Sequence, residues 1–159
     1  MNSHPAHWHI GLVGYGEVGR ILAEDLRAQG CTVSAYDRKL DAADTAPALR
    51  VHALDNGVAL ADDPADLARD ADLIVSAVTA SQAVAVAEAC ATGLKPGAFF
   101  LDVNSASPGA KRRAAATVDA AGGRYVEGAV MTSVPPYRIK VPLLLGGAAA
   151  AELAPLLNR

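Results

Sequence analysis

A doubly wound α/β fold, with a mostly parallel sheet and helices on both faces, is what this 159-residue sequence predicts. Three observations predict it. Strand-sized apolar runs alternate with helix-period segments along the chain. A Gly-x-Gly-x-x-Gly turn, Gly14-Tyr15-Gly16-Glu17-Val18-Gly19, follows the first of those runs. Just over half of the residues are hydrophobic, at 52%, while only 4% are aromatic, so the core is built largely from small side chains that suit close packing of helix on sheet.

The elements follow in order. Residues 1–7 are polar and are expected to be disordered. His4, His7 and His9 lie near one another, but no carboxylate or cysteine completes a metal-ligand set. Residues 8–13 read as a buried parallel strand. The helix after it shows one apolar face, Val18, Ile21, Leu22 and Leu26, and Gly30 stops it. Residues 31–36 form the second strand. Asp41, Asp44, Pro47, Asn56 and Gly57 make residues 38–57 a loop with at most one short helical turn. Residues 58–60 form a brief third strand. Pro64 opens a short helix with Asp63 as its cap. Residues 73–78 form a strongly apolar fourth strand, and residues 81–90 the helix after it. Residues 98–102 are a strand, and Ser107 caps a helix that starts at Pro108 and ends before Gly122. Residues 124–130 and 141–145 are the last strands, and 148–157 the last helix. Between the two strands, Pro135-Pro136 excludes a regular helix or central strand from residues 131–140.

The glycine turn has the context that gives such a pattern meaning: a strand before it and an amphipathic helix after it. This is the Rossmann-like arrangement for a dinucleotide pyrophosphate. Gly14 permits the tight turn, Gly16 leaves room for the phosphates, and Gly19 lets the helix approach the sheet. The helix N-terminus adds free N–H groups and a partial positive charge, with Tyr15, Glu17 and Val18 completing the binding turn. Asp37 stands at the end of the second strand, 18 residues beyond Gly19. A carboxylate there accepts from both ribose hydroxyls and favours NAD. Arg38 follows it and can stack on adenine or pair a 2′-phosphate, so NADP stays open. Val78 and Thr79 end the fourth strand at the edge that lines the crevice. Ser81 either touches the cofactor or caps its helix.

Charge and composition exclude other classes. The net charge is −3, and the longest basic cluster, Lys111-Arg112-Arg113, stands alone, so no nucleic-acid partner is expected. No apolar run is long enough for a bilayer, and the N-terminus lacks a signal-peptide pattern. Cys31 and Cys90 match no metal or redox spacing. A cytoplasmic protein with reduced thiols is the expectation.

Three segments carry a resemblance. The opening Gly11-Leu12-Val13-Gly14-Tyr15-Gly16-Glu17-Val18-Gly19-Arg20, the central Asp102-Val103-Asn104-Ser105-Ala106-Ser107-Pro108, and the late Val141-Pro142-Leu143-Leu144-Leu145-Gly146-Gly147 resemble the β-hydroxyacid dehydrogenase family, which includes 3-hydroxyisobutyrate and 6-phosphogluconate dehydrogenases. The resemblance implies hydride transfer between a nicotinamide cofactor and a small hydroxy acid. It implies that Asn104 and Ser105 hydrogen-bond the substrate; the plain alternative is a turn with no ligand. Where the family has Asp-x-x-Val-Ser-Gly-Gly, with Ser-Gly-Gly as a substrate cradle, this chain reads Glu127-Gly128-Ala129-Val130-Met131-Thr132-Ser133, a departure.

The family's catalytic lysine comes from a second, helical domain. Lys39, Lys95, Lys111 and Lys140 are the only lysines here, and none matches it. Residues 8–147 then read as the dinucleotide-binding domain and 148–159 as the start of an inter-domain helix, with little or no turnover expected from the chain alone. The alternative is a non-catalytic dinucleotide-sensing module. A short-chain dehydrogenase is set aside, because Tyr137 to Lys140 falls one residue short of its Tyr-x-x-x-Lys spacing. An undocked domain face would leave apolar surface, with Leu153, Leu156 and Leu157 as candidates, and a homo-oligomer is expected from it.

Overall fold

Seven strands form one sheet in the order β3-β2-β1-β4-β5-β6-β7. The structure is a computed structural model and describes residues 4–159. The strands are β1 (His9–Val13), β2 (Thr32–Tyr36), β3 (Ala59–Leu60), β4 (Leu73–Ser76), β5 (Phe99–Asp102), β6 (Arg124–Val130) and β7 (Leu143–Gly146). The helices are α1 (Glu17–Ala28), α2 (Ala46–Asn56), α3 (Pro64–Asp70), α4 (Ala83–Ala91), α5 (Pro108–Ala120), the single turn α6 (Val134–Tyr137) and α7 (Ala150–Leu157). All strand pairs are parallel except β6–β7. The exception has a simple cause. Parallel return usually runs through a crossover helix, and the link from β6 to β7 carries only the single turn α6 and a 3-10 turn.

Side-chain alternation divides the core into two layers. Ile10, Leu12, Leu73, Val75, Phe99, Leu101 and Val126 pack on the face that carries α1, α2 and α7. Val13, Ile74, Phe100 and Tyr125 point the other way, toward α3, α4 and α5. Central strands buried on both faces must be apolar at every position, which is why the runs were legible as continuous hydrophobic segments. The predicted caps form as expected. Asp63 accepts from the Asp66 N–H at 2.8 Å, and Ser107 from the Ala110 N–H at 3.2 Å.

Four local expectations are corrected. The loop expected at 38–57 is a 3-10 turn, Arg38–Asp41, followed by the eleven-residue helix α2. Its apolar residues point in several directions, Leu49 and Ala53 inward and Val51 and Leu54 outward, so no amphipathic stripe announces it. Pro47 lies in its first turn, where no donor is lost, and Gly57 ends it with a left-handed φ of 66°. Of the residues expected to be disordered, Pro5–His7 forms a 3-10 turn capped by His4, and 1–3 lie outside the described residues. Ser81 caps no helix. It lies inside a 3-10 turn, Ala80–Gln82, and its hydroxyl meets that of Thr79 at 3.2 Å. The apolar face expected on the last helix is turned largely inward: Leu153 is 0% exposed and sits in the core layer of α1 and α2, with Leu156 packed against it, while Leu157 stays exposed.

The segment after β6 is clasped to α1. Arg138 Nε donates to Asp25 at 3.0 Å, and its Nη2 reaches both Asp25 at 2.9 Å and Glu24 at 2.6 Å. The Ile139 N–H adds a bond to Asp25 at 3.1 Å. Among the described residues Arg138 is the one non-glycine with a positive φ, at 53°. Such a conformation costs of order 1–3 kcal/mol and persists only where surrounding bonds hold it.

Because α7 closes the core, Leu153→Ala is expected to destabilise the chain by about 2–5 kcal/mol. Urea denaturation measures it; a change below about 1 kcal/mol would mean that α7 is an appendage.

Candidate functional site

The sheet changes winding direction between β1 and β4, and at such a switch point the loops at the carboxyl ends of the strands separate into a crevice. A cleft of about 380 Å³ lies there. Gly14, Gly16, Asp37, Arg38, Val78 and Thr79 line it, all expected from the sequence. Lys39, Pro64, Gln82 and Val86 line it too and were missed. Pro64 opens α3, and Gln82 and Val86 sit four residues apart around the start of α4. Nothing in a local motif marks them, since the sheet order alone brings α3 and α4 to this edge.

Each glycine of the turn meets a different constraint. Gly14 has φ of 98°, and a Cβ there would lie 2.1 Å from the Ala77 carbonyl oxygen. A Cβ on Gly19 would lie 2.1 Å from the Gly14 carbonyl oxygen. Both glycines are therefore required for the protein's own packing. Gly16 differs. A Cβ there would meet nothing within 4 Å, so the protein's own packing does not require a glycine at this position. It is the N-cap of α1, and no side chain caps that end. The first N–H groups of the helix thus face the space above Gly16 without intrahelical partners.

The remaining turn residues stand back from the cleft. Tyr15, Glu17, Val18 and Gly19 do not line it. Tyr15 is fully buried, with its hydroxyl 2.6 Å from His52 Nδ1, and burial pushes its phenol up to about 12. Its N–H donates to Asp37 Oδ2 at 2.8 Å, while Asp37 Oδ1 accepts from the Lys39 N–H at 2.9 Å. Asp37 hence fastens the glycine turn to the end of β2. Each of its oxygens keeps a lone pair for a further donor. Arg38 and Lys39 are exposed beside it.

The loop after β5 borders the same edge of the sheet. Asn104 is 5% exposed. Its Oδ1 accepts from the Val78 N–H at 2.7 Å, and its Nδ2 donates to Ser76 Oγ at 2.9 Å. The side chain is a brace between the ends of β4 and β5. Ser105 is exposed, with no hydrogen bond of its own. Beneath the loop Asp102 is fully buried. Its Oδ1 accepts from the Asn104 N–H at 2.9 Å, and its Oδ2 from the Tyr125 hydroxyl at 2.8 Å. Lys111 Nζ donates to the Asp102 carbonyl at 3.1 Å and lies 3.4 Å from Oδ1. Burial first, and then the bond to Asp102, hold the Tyr125 phenol far above its ordinary range. A buried carboxylate is tolerable only with such partners. Among the described residues no cluster suits a metal ion, and no helix is long and apolar enough to cross a membrane.

Comparison with known proteins agrees with this geometry. Residues 9–156 match the model of the NAD binding domain of 6-phosphogluconate dehydrogenase. A conserved hypothetical protein from Sinorhizobium meliloti 1021 superposes with a TM-score of 0.89 at 38% identity, covering 95% of this chain and 50% of that one. A 3-hydroxyisobutyrate dehydrogenase from Salmonella typhimurium gives a TM-score of 0.76 at 25% identity, covering 95% of this chain and 53% of that one. An imine reductase from Myxococcus stipitatus, solved as a variant with NAD+, shares the fold at a TM-score of 0.77 and 22% identity, covering 94% of this chain and 50% of that one. The chain thus spans about half the length of these relatives. No curated protein sequence matches it.

The two kinds of glycine are separable by stability. Gly19→Ala is expected to cost about 3 kcal/mol, because the new methyl group strikes backbone that cannot yield. Gly16→Ala is expected to stay within about 0.5 kcal/mol of the native chain. Thermal denaturation of the two variants side by side measures the contrast, and equal losses would count against it.

Proposed function

The chain belongs to the family of NAD-binding domains represented by that of 6-phosphogluconate dehydrogenase, and from that premise we propose that it is the dinucleotide-binding part of an oxidoreductase acting on a small hydroxy acid. The observation that carries the reading is the open space at Gly16, next to the uncapped N-terminus of α1. A group must occupy that space for the missing side chain to matter, and a diphosphate suits the N–H groups and the helix dipole there.

The residues of the cleft divide the work. Gly14 and Gly16 shape the phosphate seat, beside the uncapped N-terminus of α1. Asp37 receives the adenosine ribose through its remaining lone pairs, which favours NAD. Arg38 and Lys39, exposed at the cleft, supply charge that a 2′-phosphate would use, so NADP is the second cofactor to test. Val78 and Thr79 carry the cofactor toward the loop after β5. When bound, the nicotinamide supplies hydride chemistry, while the protein positions and orients. Ser105, exposed on that loop, contacts the substrate hydroxyl or carboxylate. Asn104 is a positioning residue, because its amide is already engaged by Ser76 and Val78.

The proton-transfer lysine is assigned to a second domain, since none of Lys39, Lys95, Lys111 and Lys140 matches its place. The alternative, a non-catalytic dinucleotide-sensing module, draws on the same engaged amide of Asn104, which leaves Ser105 as the loop's free polar group. A cytoplasmic setting and a homo-oligomer belong to the same reading. The first is supported by two free, buried cysteines whose thiols burial pushes upward. The second is supported by exposed Met131 and Leu144 beside the antiparallel edge of the sheet.

Titration with NADH and NADPH tests the cofactor. NADH is expected to bind the tighter of the two, and Gly16→Val is expected to abolish binding of either while the chain stays folded. Unchanged affinity in that variant would sink the reading. The chain alone, offered NAD+ and hydroxy acids, is expected to turn over at least about 10²-fold more slowly than a complete enzyme of the family, the contribution of a positioned proton-transfer group. Turnover at a full enzyme's rate would show that the base lies within these 159 residues.

A further inference from the structure

The segment between β6 and β7 is joined to the glycine turn by a continuous chain of hydrogen bonds. The Tyr15 hydroxyl lies 2.6 Å from His52 Nδ1, and the two rings meet edge to face at 5.3 Å. On the far side of the imidazole, His52 Nε2 lies 2.8 Å from Glu24 Oε1. Glu24 Oε2 accepts from Arg138 Nη2 at 2.6 Å. Arg138 also grips Asp25 through Nε and Nη2. Residues 15, 24, 52 and 138 come from the turn, α1, α2 and the segment after β6. At its near end the chain reaches the cleft through the Tyr15 N–H, which is bonded to Asp37.

We propose that Arg138 is a positioning residue for dinucleotide binding, acting through Glu24, His52 and Tyr15 to set the pose of the glycine turn. The inference rests on the dinucleotide reading of the cleft. Its physical basis is the burial of Tyr15. The ring is fully enclosed, so its hydroxyl depends on the acceptor that His52 presents. His52 is oriented by Glu24, in the way a carboxylate orients an imidazole through its second nitrogen. Glu24 is 37% exposed and would turn to water if Arg138 did not hold its other oxygen. The hydrogen bond from His52 first, and that from Arg138 second, keep the Glu24 carboxyl below its ordinary range. Loss of the guanidinium therefore loosens Glu24, then the imidazole, then the phenol. The phenol shares its backbone with Gly14 and Gly16. A turn that binds through fixed N–H groups loses affinity when it is no longer held in the binding geometry. The positive φ of Arg138 fits this role, since a strained backbone places the guanidinium between two carboxylates on one helix.

The test is fluorescence titration of the 159-residue chain with NADH, for the native protein, Arg138→Met, Tyr15→Phe and the double variant, with thermal denaturation of each. Each single change is expected to weaken binding by about three- to tenfold with the chain still folded. The double variant is expected to bind no more weakly than the worse single one, because both cut the same chain of contacts. Arg138→Lys is expected to recover part of the loss, since an ammonium still reaches one carboxylate but lacks the two-sided fork. Single variants within about twofold of the native affinity, or losses that multiply in the double variant, would overturn the proposal. Where Arg138→Met does not fold, Tyr15→Phe decides: it removes one oxygen, and native affinity in it overturns the proposal. A native chain that binds no NADH defeats the cofactor reading itself, an outcome distinct from all of these.

Discussion

The approach of α1 to the end of β1 is the constraint on which the rest of the molecule depends. The Gly14 carbonyl occupies the position where a side chain on residue 19 would begin, and the Ala77 carbonyl occupies the corresponding position at residue 14. Backbone is therefore packed on backbone on both sides of the turn. That contact brings the start of α1 over the sheet, with its N–H groups at the carboxyl edge. It also brings β4 close to β1, because Ala77 N–H donates to the Val13 carbonyl at 2.9 Å. The switch point, the cleft and the uncapped helix end are consequences of one close contact between small residues.

Around that contact, polar side chains do the work of joining loops. Asp37 ties the glycine turn to the end of β2, and Asn104 ties the end of β4 to the end of β5. Asp102, with Tyr125 and Lys111, fastens the base of the loop that bears Ser105. Among the described residues no buried side-chain nitrogen or oxygen lacks a partner. Buried polar networks specify geometry when every member is satisfied. Here they fix the loops at the carboxyl edge of the sheet to the ends of its strands.

The helix at the end of the chain belongs to the same unit. Leu153 fills the core layer beside α1, and Arg124 Nη1 donates to Glu152 at 2.7 Å across the outer face of the sheet. The antiparallel β7 and α7 thus close the side of the domain away from the cleft.

Much of this was legible in the amino-acid order. All seven strands, the glycine turn, the caps at Asp63 and Ser107 and six of the cleft residues follow from periodicity, turn chemistry and one motif, all of which are local. What was hidden has a common cause. Helix α2 lacks an apolar stripe, so its existence depends on what Leu49 and Ala53 meet across the interior. Tyr15 reads as a ligand-facing residue because its neighbours in sequence are, and only α2 packed on α1 decides that its ring turns inward to His52. Asn104 reads as a substrate contact until the ends of β4 and β5 are seen side by side. Composition and spacing determined every strand, most of the helices and where a diphosphate could rest. Side-chain direction, and the partner each buried polar atom finds, were decided by contacts between residues up to 114 positions apart, as between Glu24 and Arg138. No local pattern carries that information, because the energy that selects those partners exists only once the sheet has brought them together.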